Sequence, residues 1–201
     1  MKRLKEVISG PVFKVLGYRP QNVTVDAWDR EYSGGEWKYL ETIGSLAGQV
    51  SILGYCQFLG PASILDVGCG AGLLAAKLKV LPFQSFLGID ISPAAIAQAK
   101  SLEDDRTAFA VCAADDFHAD TRFDVVIFNQ CMNYMTDPAA TLAHFAKVLA
   151  PAGRMIVSMC ETARARAAWP LLERDMVVED ATTYIQAEGR GTTKVLKPRA
   201  V

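Results

Sequence analysis

Short, largely apolar runs recur along the chain at Ile64–Val67, Phe86–Ile89, Ala108–Val111, Val125–Phe128 and Met155–Met159. Between several of them the apolar spacing lengthens to three and four residues, the helical period, over Leu73–Val80, Pro93–Leu102 and Pro138–Ala150. Pro93 and Pro138 suit the first turn of a helix, where the missing N–H costs nothing, and Ser92 and Asp137 precede them as N-caps. Runs that are apolar on both faces and alternate with helices suit a parallel sheet covered on both sides. The pattern predicts an α/β fold.

Upstream the pattern is less regular. Residues 1–35 are punctuated by Gly10-Pro11, Gly17, Pro20 and Gly34-Gly35, which predicts a lid or cap segment in front of a main domain at 36–201. From about Glu36 the spacing is helical to Leu59, where Gly60-Pro61 stops it. Thr42 to Leu65 carries no charge and is long enough to cross a membrane. Four glycines, Pro61 and interspersed Ser45, Gln49, Ser51 and Gln57 argue against a span. Ile43, Leu46, Ala47, Val50, Leu53 and Leu59 recur near helical spacing and predict a buried amphipathic helix pair.

Composition narrows the picture further. A chain of 201 residues favours one domain. The 21 Lys and Arg against 22 Asp and Glu leave a net charge of −1, so no field draws the chain to nucleic acid or an anionic membrane. Cys56, Cys69, Cys112, Cys131 and Cys160 have neither zinc-ligand spacing nor a C-x-x-C pair, and they read as reduced, mostly buried thiols. Lys2, Arg3 and Lys5 precede an apolar run that Lys14 cuts short without a small-residue cleavage site. A signal peptide is therefore not expected, and a cytoplasmic location is.

Candidate chemistry begins where the first apolar run ends, in Asp66-Val67-Gly68-Cys69-Gly70-Ala71-Gly72 before a helical Leu73–Leu78. Glycines at a strand-to-helix turn let the backbone approach a ligand closely, and the helix start offers unpaired N–H groups. The dinucleotide pattern G-x-G-x-x-G would need its third glycine at position 73, which is Leu73. Asp66 stands two residues before the first glycine, where it would repel a pyrophosphate and attract an ammonium. The second run ends in Asp90, 22 residues after Gly68, and a carboxylate there can accept both ribose hydroxyl protons. Together these point to a nucleoside ligand without an obligatory pyrophosphate.

The segments ILDVGCGAGLLAAKL, FLGIDISPAAIAQAK, FDVVIFNQCMNYMTDP and LAPAGRMIVSM resemble, in order and spacing, the motifs of class I S-adenosylmethionine-dependent methyltransferases, from about residue 36 to 160. The resemblance implies a Rossmann-like, doubly wound, mostly parallel seven-stranded sheet ending in a β-hairpin, with S-adenosyl-L-methionine as cofactor. It assigns Asp66, Gly68, Cys69, Gly70 and Gly72 to the methionine end and sugar, Asp90 to the ribose and Ile91 to adenine. The family's acid after the third strand is replaced by Ala113, so the adenine amine contact moves to Asp115 or to the backbone of Ala113 and Ala114. Asn129 matches the family's residue near the methionine moiety. Tyr134 stands where many relatives hold a histidine, and it is the candidate catalytic residue, orienting by hydrogen bond because a phenol is a poor base at neutral pH. Tyr32 and Trp37 in the aromatic segment Trp28–Leu40 are the lid candidates, since a sulfonium favours aromatic faces.

That family's reaction is in-line displacement from a good leaving group, so aligning the acceptor supplies much of the acceleration. The expected acceptor is a small molecule methylated at N, O or S, a sugar-type alcohol being disfavoured by the lack of an obvious histidine base. His144 is expected on an exposed helical face, and His118 in a polar turn with Asp115, Asp116 and Asp120 that reads as no metal site. Neither a basic stripe nor an Asn/Asp-Pro-Pro-aromatic motif suggests a flipped base, so no nucleic-acid partner is expected. A homodimer is compatible with this reading. Two alternatives stay open: a cofactor-binding but inactive partner subunit, suggested by Ala113 and the short C-terminus, and an NAD(P)-dependent oxidoreductase. Past Met159, a helical Ala163–Met176 and strand pieces Met176–Val178 and Val195–Leu196 flank the turn signal Gly189-Arg190-Gly191, just enough for the terminal hairpin. The last 13 residues hold four basic side chains and no acid, which suggests a solvated tail or a phosphate-touching patch.

Overall fold

The computed structural model describes residues 23–199. The punctuation at Gly10-Pro11, Gly17 and Pro20, and the basic Lys2, Arg3, Lys5 and Lys14, lie outside the described residues. The elements in chain order are α1 (Val25–Gly34), α2 (Leu46–Leu59), β1 (Ser63–Val67), α3 (Leu73–Leu78), β2 (Ser85–Asp90), α4 (Pro93–Ala99) and β3 (Thr107–Val111). They continue with β4 (Phe123–Asn129), α5 (Pro138–Ala146), β5 (Leu149–Cys160), α6 (Ala163–Arg174), β6 (Met176–Gln186) and β7 (Gly189–Pro198). One seven-stranded sheet runs in the order β3-β2-β1-β4-β5-β7-β6. β1 to β5 pair in parallel, and β7 lies antiparallel to both β5 and β6. The Rossmann-like α/β sheet with helices on both faces and a terminal hairpin is the expected fold.

Successive strand residues point to opposite faces, and the core divides accordingly. Leu65, Val67, Val126 and Phe128 bury on one face among Phe145, Leu142, Ala168 and Leu172 of α5 and α6. Ile64, Val125 and Ile127 bury on the other among Ile52, Cys56, Leu74, Leu78 and Ile96 of α2, α3 and α4. Two apolar layers explain why the central strands read as continuous runs. The helix starts follow the expected capping. Ser92 Oγ accepts the N–H of Ala95 at 3.1 Å, and Asp137 Oδ1 accepts those of Ala139 and Ala140 at 3.0 Å each.

Three local expectations are corrected. The helical stretch from Glu36 is broken into 3-10 turns at Lys38–Glu41 and Ile43–Ser45, because Thr42 is extended (ψ 158°), and only Leu46–Leu59 forms a helix. Thr42 to Leu65 therefore holds one turn, one helix and the start of β1, not a helix pair. Gly34-Gly35 ends a helix and does not punctuate an irregular segment: Thr24 caps the start of α1, and Gly35 closes its end in the left-handed region with its N–H directed at Glu31 and Tyr32 carbonyls. The strand pieces Met176–Val178 and Val195–Leu196 grow to eleven and ten residues, paired from Met176↔Pro198 to Gln186↔Gly189 around a two-residue turn at Ala187-Glu188. Gly189 and Gly191 belong to β7 and do not form that turn. β6 is polar and solvent-facing along most of its length, so an apolar-run criterion misses it.

The sheet margins are also specified. On β3 the outward N–H of Phe109 donates to Glu103 Oε1 at 3.0 Å, and on β6 a register shift falls between Val178 and Asp180. Among the described residues no helix is long and apolar enough to cross a membrane. The five cysteines form no disulfide; Cys56 and Cys69 are buried, and Cys112, Cys131 and Cys160 are half-buried.

Candidate functional site

The strand order reverses direction at β1, which has β2 on one side and β4 on the other. Ligands of open α/β sheets bind at such a switch point, beyond the carboxyl ends of the strands. Here that edge carries the turn after β1, Asp90 at the end of β2, and Asn129 at the end of β4.

The turn after β1 is shaped by glycines. Gly68 (φ 71°) and Gly70 (φ 56°) occupy the left-handed region that side chains disfavour. Both are also closely approached: a Cβ on Gly68 would stand 2.8 Å from that of Cys131, and one on Gly70 would collide with the Tyr32 hydroxyl. Gly72, the residue before α3, faces Leu102, Ala99 and Phe109, and serves packing against α4. Cys69 turns its side chain onto Gly88 of β2, so that its backbone alone remains on the loop. The N–H groups of Gly68 and Cys69 both donate to Ile89 O, at 2.8 and 3.0 Å, which locks the loop to β2.

The two acids differ sharply. Asp90 spans the loop: Oδ2 accepts the N–H of Gly70 and Oδ1 that of Ser92, each at 2.9 Å. Each oxygen keeps a second lone pair for a hydroxyl. Burial raises the Asp90 carboxyl above its usual value, and the backbone N–H groups partly oppose that rise. Asp66 is 1% exposed, and its Oδ1 accepts no hydrogen bond. Burial, then the nearby Asp90 charge, pushes its carboxyl from 3.8 up to about 8. A buried carboxylate without partners is costly, and it calls for a cationic or donating ligand.

Aromatic side chains cover the edge. Tyr32 of α1 stands over Gly70, its phenol raised first by burial and then by the Asp90 charge. The Trp37 ring lies 6.0 Å from that of Tyr32 and 5.8 Å from that of Trp28. Trp28 in turn meets Tyr134, in the 3-10 turn Met132–Tyr134 after β4, edge-on at 5.0 Å. α1 is tied down by Asp29, whose Oδ1 accepts from the Ser92 hydroxyl and from Ala94 N, and by Gln98 Nε2 donating to Tyr32 O at 3.1 Å. Tyr32, Trp37, Tyr134, Asp66, Asp90 and the glycines thus converge on one edge.

The remaining candidates sit around it. Ile91 is a large apolar side chain left 38% exposed beside Asp90. Ala113 precedes a 3-10 turn at Ala114–Asp116; Ala114 packs partly into the core, and Asp115 is exposed. Asn129 is half-buried where β4 ends. His144 is half-buried, not exposed, because its Nε2 bonds Phe117 O at 2.7 Å and its ring meets that of His118 at 5.5 Å. Among the described residues no group of three or more His, Cys, Asp or Glu could hold a metal ion. Three of the four basic C-terminal side chains are engaged by neighbours: Lys194 pairs with Glu173 and lies over Trp169, Lys197 pairs with Glu179, and Arg199 donates to Arg174 O, while Arg190 is exposed. Sequence patterns gave no hint of Gln130, which follows β4 at φ 60°, nor of Asp29 as the tether of α1.

A mostly parallel α/β sheet with an acid-flanked glycine turn at its switch point defines a nucleoside-binding class. Residues 61–195 match the model of a methyltransferase domain, and the chain belongs to that family. It is 36% identical over 104 residues to a ubiquinone biosynthesis O-methyltransferase of Bradyrhizobium diazoefficiens, covering 50% of this chain and 40% of that one. It is 34% identical over 96 residues to a ribosomal protein L11 methyltransferase of Burkholderia cenocepacia, covering 48% and 31%. The chain therefore spans about a third to two fifths of the length of these curated relatives. Its backbone is similar to that of the N-methyltransferase NodS from Bradyrhizobium japonicum in complex with S-adenosyl-L-homocysteine, with a TM-score of 0.78 at 18% identity over 89% of this chain and all of that one.

Proposed function

We propose that the chain is an S-adenosyl-L-methionine-dependent methyltransferase acting on a small-molecule acceptor, with its cofactor site at the β1–β4 edge. One observation carries this reading: the buried Asp66 Oδ1 without a partner beneath two closely approached, positive-φ glycines. That arrangement suits a ligand with an ammonium group near a polar chain, as the methionine end of the cofactor has. The acid-flanked turn suits a pyrophosphate poorly, which disfavours NAD(P).

In this reading Asp66 accepts from the cofactor's ammonium, Asp90 accepts the ribose hydroxyls, and Ile91 covers adenine with Ala113, Ala114 and Asp115 at its rim. Gly68, Cys69, Gly70 and Gly72 form the backbone turn beneath it, with Asn129 alongside. When bound, the sulfonium supplies a methyl group that an acceptor N, O or S takes up, the C–S bonding pair returning to sulfur. Tyr32 and Trp37 on the lid segment (residues 1–35 and the turn that follows) exclude water from the edge, and Tyr134 orients the acceptor. Catalysis by positioning requires no strong base. The aromatic wall of Trp28, Tyr32, Trp37 and Tyr134, together with the balanced charge, supports a small acceptor over a protein surface.

Calorimetric titration with S-adenosyl-L-homocysteine and NAD tests the reading. A dissociation constant in the range of about 1 μM to 1 mM is expected for the first, the usual span for enzyme ligands. Binding of NAD without binding of S-adenosyl-L-homocysteine overturns it.

A further inference from the structure

Gln130, just past β4, is the one residue besides glycine with positive φ among the described residues, at 60°. A side chain is disfavoured there, so something must hold the backbone in place. The side-chain contacts supply the hold. Nε2 donates to the Tyr184 hydroxyl at 2.8 Å and to Ser158 Oγ at 3.2 Å, while Oε1 accepts the N–H of Cys160 at 2.8 Å. The Gln130 N–H donates to Ser158 O at 2.8 Å. All three amide positions are thereby engaged by β5 and β6.

Tyr184 is itself built in. It is 7% exposed, its phenol is pushed up to about 12 by burial, and its hydroxyl lies 3.0 Å from Ser158 Oγ. Its ring lies where two glycines leave room: a Cβ on Gly48 of α2 would stand 2.9 Å from the phenol carbon, and one on Gly191 of β7 would collide with it. Thr193 Oγ1 extends the chain from Ser158 at 3.0 Å to Ser51 Oγ at 2.6 Å. Downstream of Gln130 the chain turns at once into the site. Cys131 packs on Gly68, and its Sγ donates to Val67 O at 3.0 Å. Three residues on, Tyr134 faces Trp28.

From this continuity we infer that Gln130 and Tyr184 are positioning residues: the terminal hairpin, through the Tyr184 hydroxyl, clamps Gln130 in its left-handed conformation and so fixes the turn 131–134 against the glycine loop. The inference rests on the cofactor reading for its functional consequence, not for the clamp itself. It gives the terminal hairpin a task at the site, through Tyr184, the residue of β6 that bonds Gln130.

The test uses the full chain and the variants Tyr184→Phe, Gln130→Gly, the two combined, and Gln130→Ala. The first readout needs no ligand: the rate at which iodoacetamide alkylates Cys131, followed by peptide mass spectrometry. Tyr184→Phe keeps the ring and removes only the hydroxyl, and it is expected to raise that rate about tenfold, the scale of a lost buried hydrogen bond. Gln130→Ala is expected to raise it at least as much, whereas in the Gln130→Gly background Tyr184→Phe adds less than about twofold, because coupled residues are non-additive. An equal increase in both backgrounds, or none from Tyr184→Phe alone, overturns the clamp and leaves Tyr184 an ordinary core residue. The second readout is S-adenosyl-L-homocysteine affinity over the same cycle, with Tyr184→Phe weakening binding about tenfold in the otherwise native chain and less than about twofold beside Gln130→Gly. Equal weakening in both backgrounds counts against the inference. Should the native chain bind no S-adenosyl-L-homocysteine, the cofactor reading falls, and the thiol cycle still decides the clamp.

Discussion

Two sets of buried polar side chains lie in the same sheet and are treated in opposite ways. Around β5 and β7, Ser158 and Thr193 are fully buried, and together with Tyr184 and Gln130 they satisfy one another. At the end of β1, Asp66 is equally buried, yet one of its oxygens has no partner and its acid–base neighbours are Asp90, Cys56, Cys69 and Cys131, none of them cationic. A satisfied network makes a region rigid and specific. An unsatisfied carboxylate costs stability that only a ligand can return. The contrast separates the part of the molecule that holds shape from the part that waits for chemistry.

The largest effect should come from Asp66→Asn. Loss of the charge is expected to weaken S-adenosyl-L-homocysteine binding about 100-fold by calorimetry, as for a buried charge-assisted hydrogen bond. Above about pH 8, where Asp66 ionises, the same change is expected to raise the thermal midpoint of the ligand-free chain, because an ion that burial disfavours is removed. A fall in both affinity and stability would make Asp66 a structural residue and erase the contrast.

A pH series sharpens the same point with a smaller effect. The Asp66 carboxyl keeps its proton up to about 8 when folded but sheds it near 3.8 when unfolded. Its contribution to stability is therefore whole below about 4 and is lost as pH rises through about 8. Binding of an ammonium ligand needs the ionised form, so affinity should climb from pH 6, approach tenfold per unit, and level off above about 8. Titrations at pH 6, 7, 8 and 9 read this directly, and Asp66→Asn should flatten the profile. On the satisfied side, Thr193→Val removes one of several partners from Ser158 and Ser51, which keep Tyr184, Gln130 and the Gly48 carbonyl, and is expected to cost about 0.5–1.5 kcal/mol in denaturant unfolding. Cofactor affinity should change less than about twofold, since Thr193 touches no part of the edge.

The legibility of these regions follows the same divide. β1 to β5 announce themselves because both their faces are apolar, and Ser92 and Asp137 mark helix starts through short-range capping that any sequence displays. The glycine turn, Asp66 and Asp90 are legible for a similar reason: their spacing is local. The Gln130–Tyr184 contact is invisible in the sequence because it joins residues 54 positions apart, through side chains that are ordinary surface types elsewhere. Gly191 misleads for the same cause; it reads as a turn, yet it leaves room for the Tyr184 ring. α1 escapes detection because none of its residues is buried, so that no apolar stripe signals it.

The margins of the sheet bear on how the protein lives among copies of itself. An exposed strand is an open template on which another chain can add a strand. On β3 the outward amide of Phe109 is already occupied by Glu103, which leaves a newcomer one fewer donor to meet. On β6 the irregularity at Val178–Asp180 and the charges of Glu179 and Asp180 spoil the flat, apolar rail that fibrils extend. The two margins of the sheet, β3 and β6, are thus both discouraged from lateral growth.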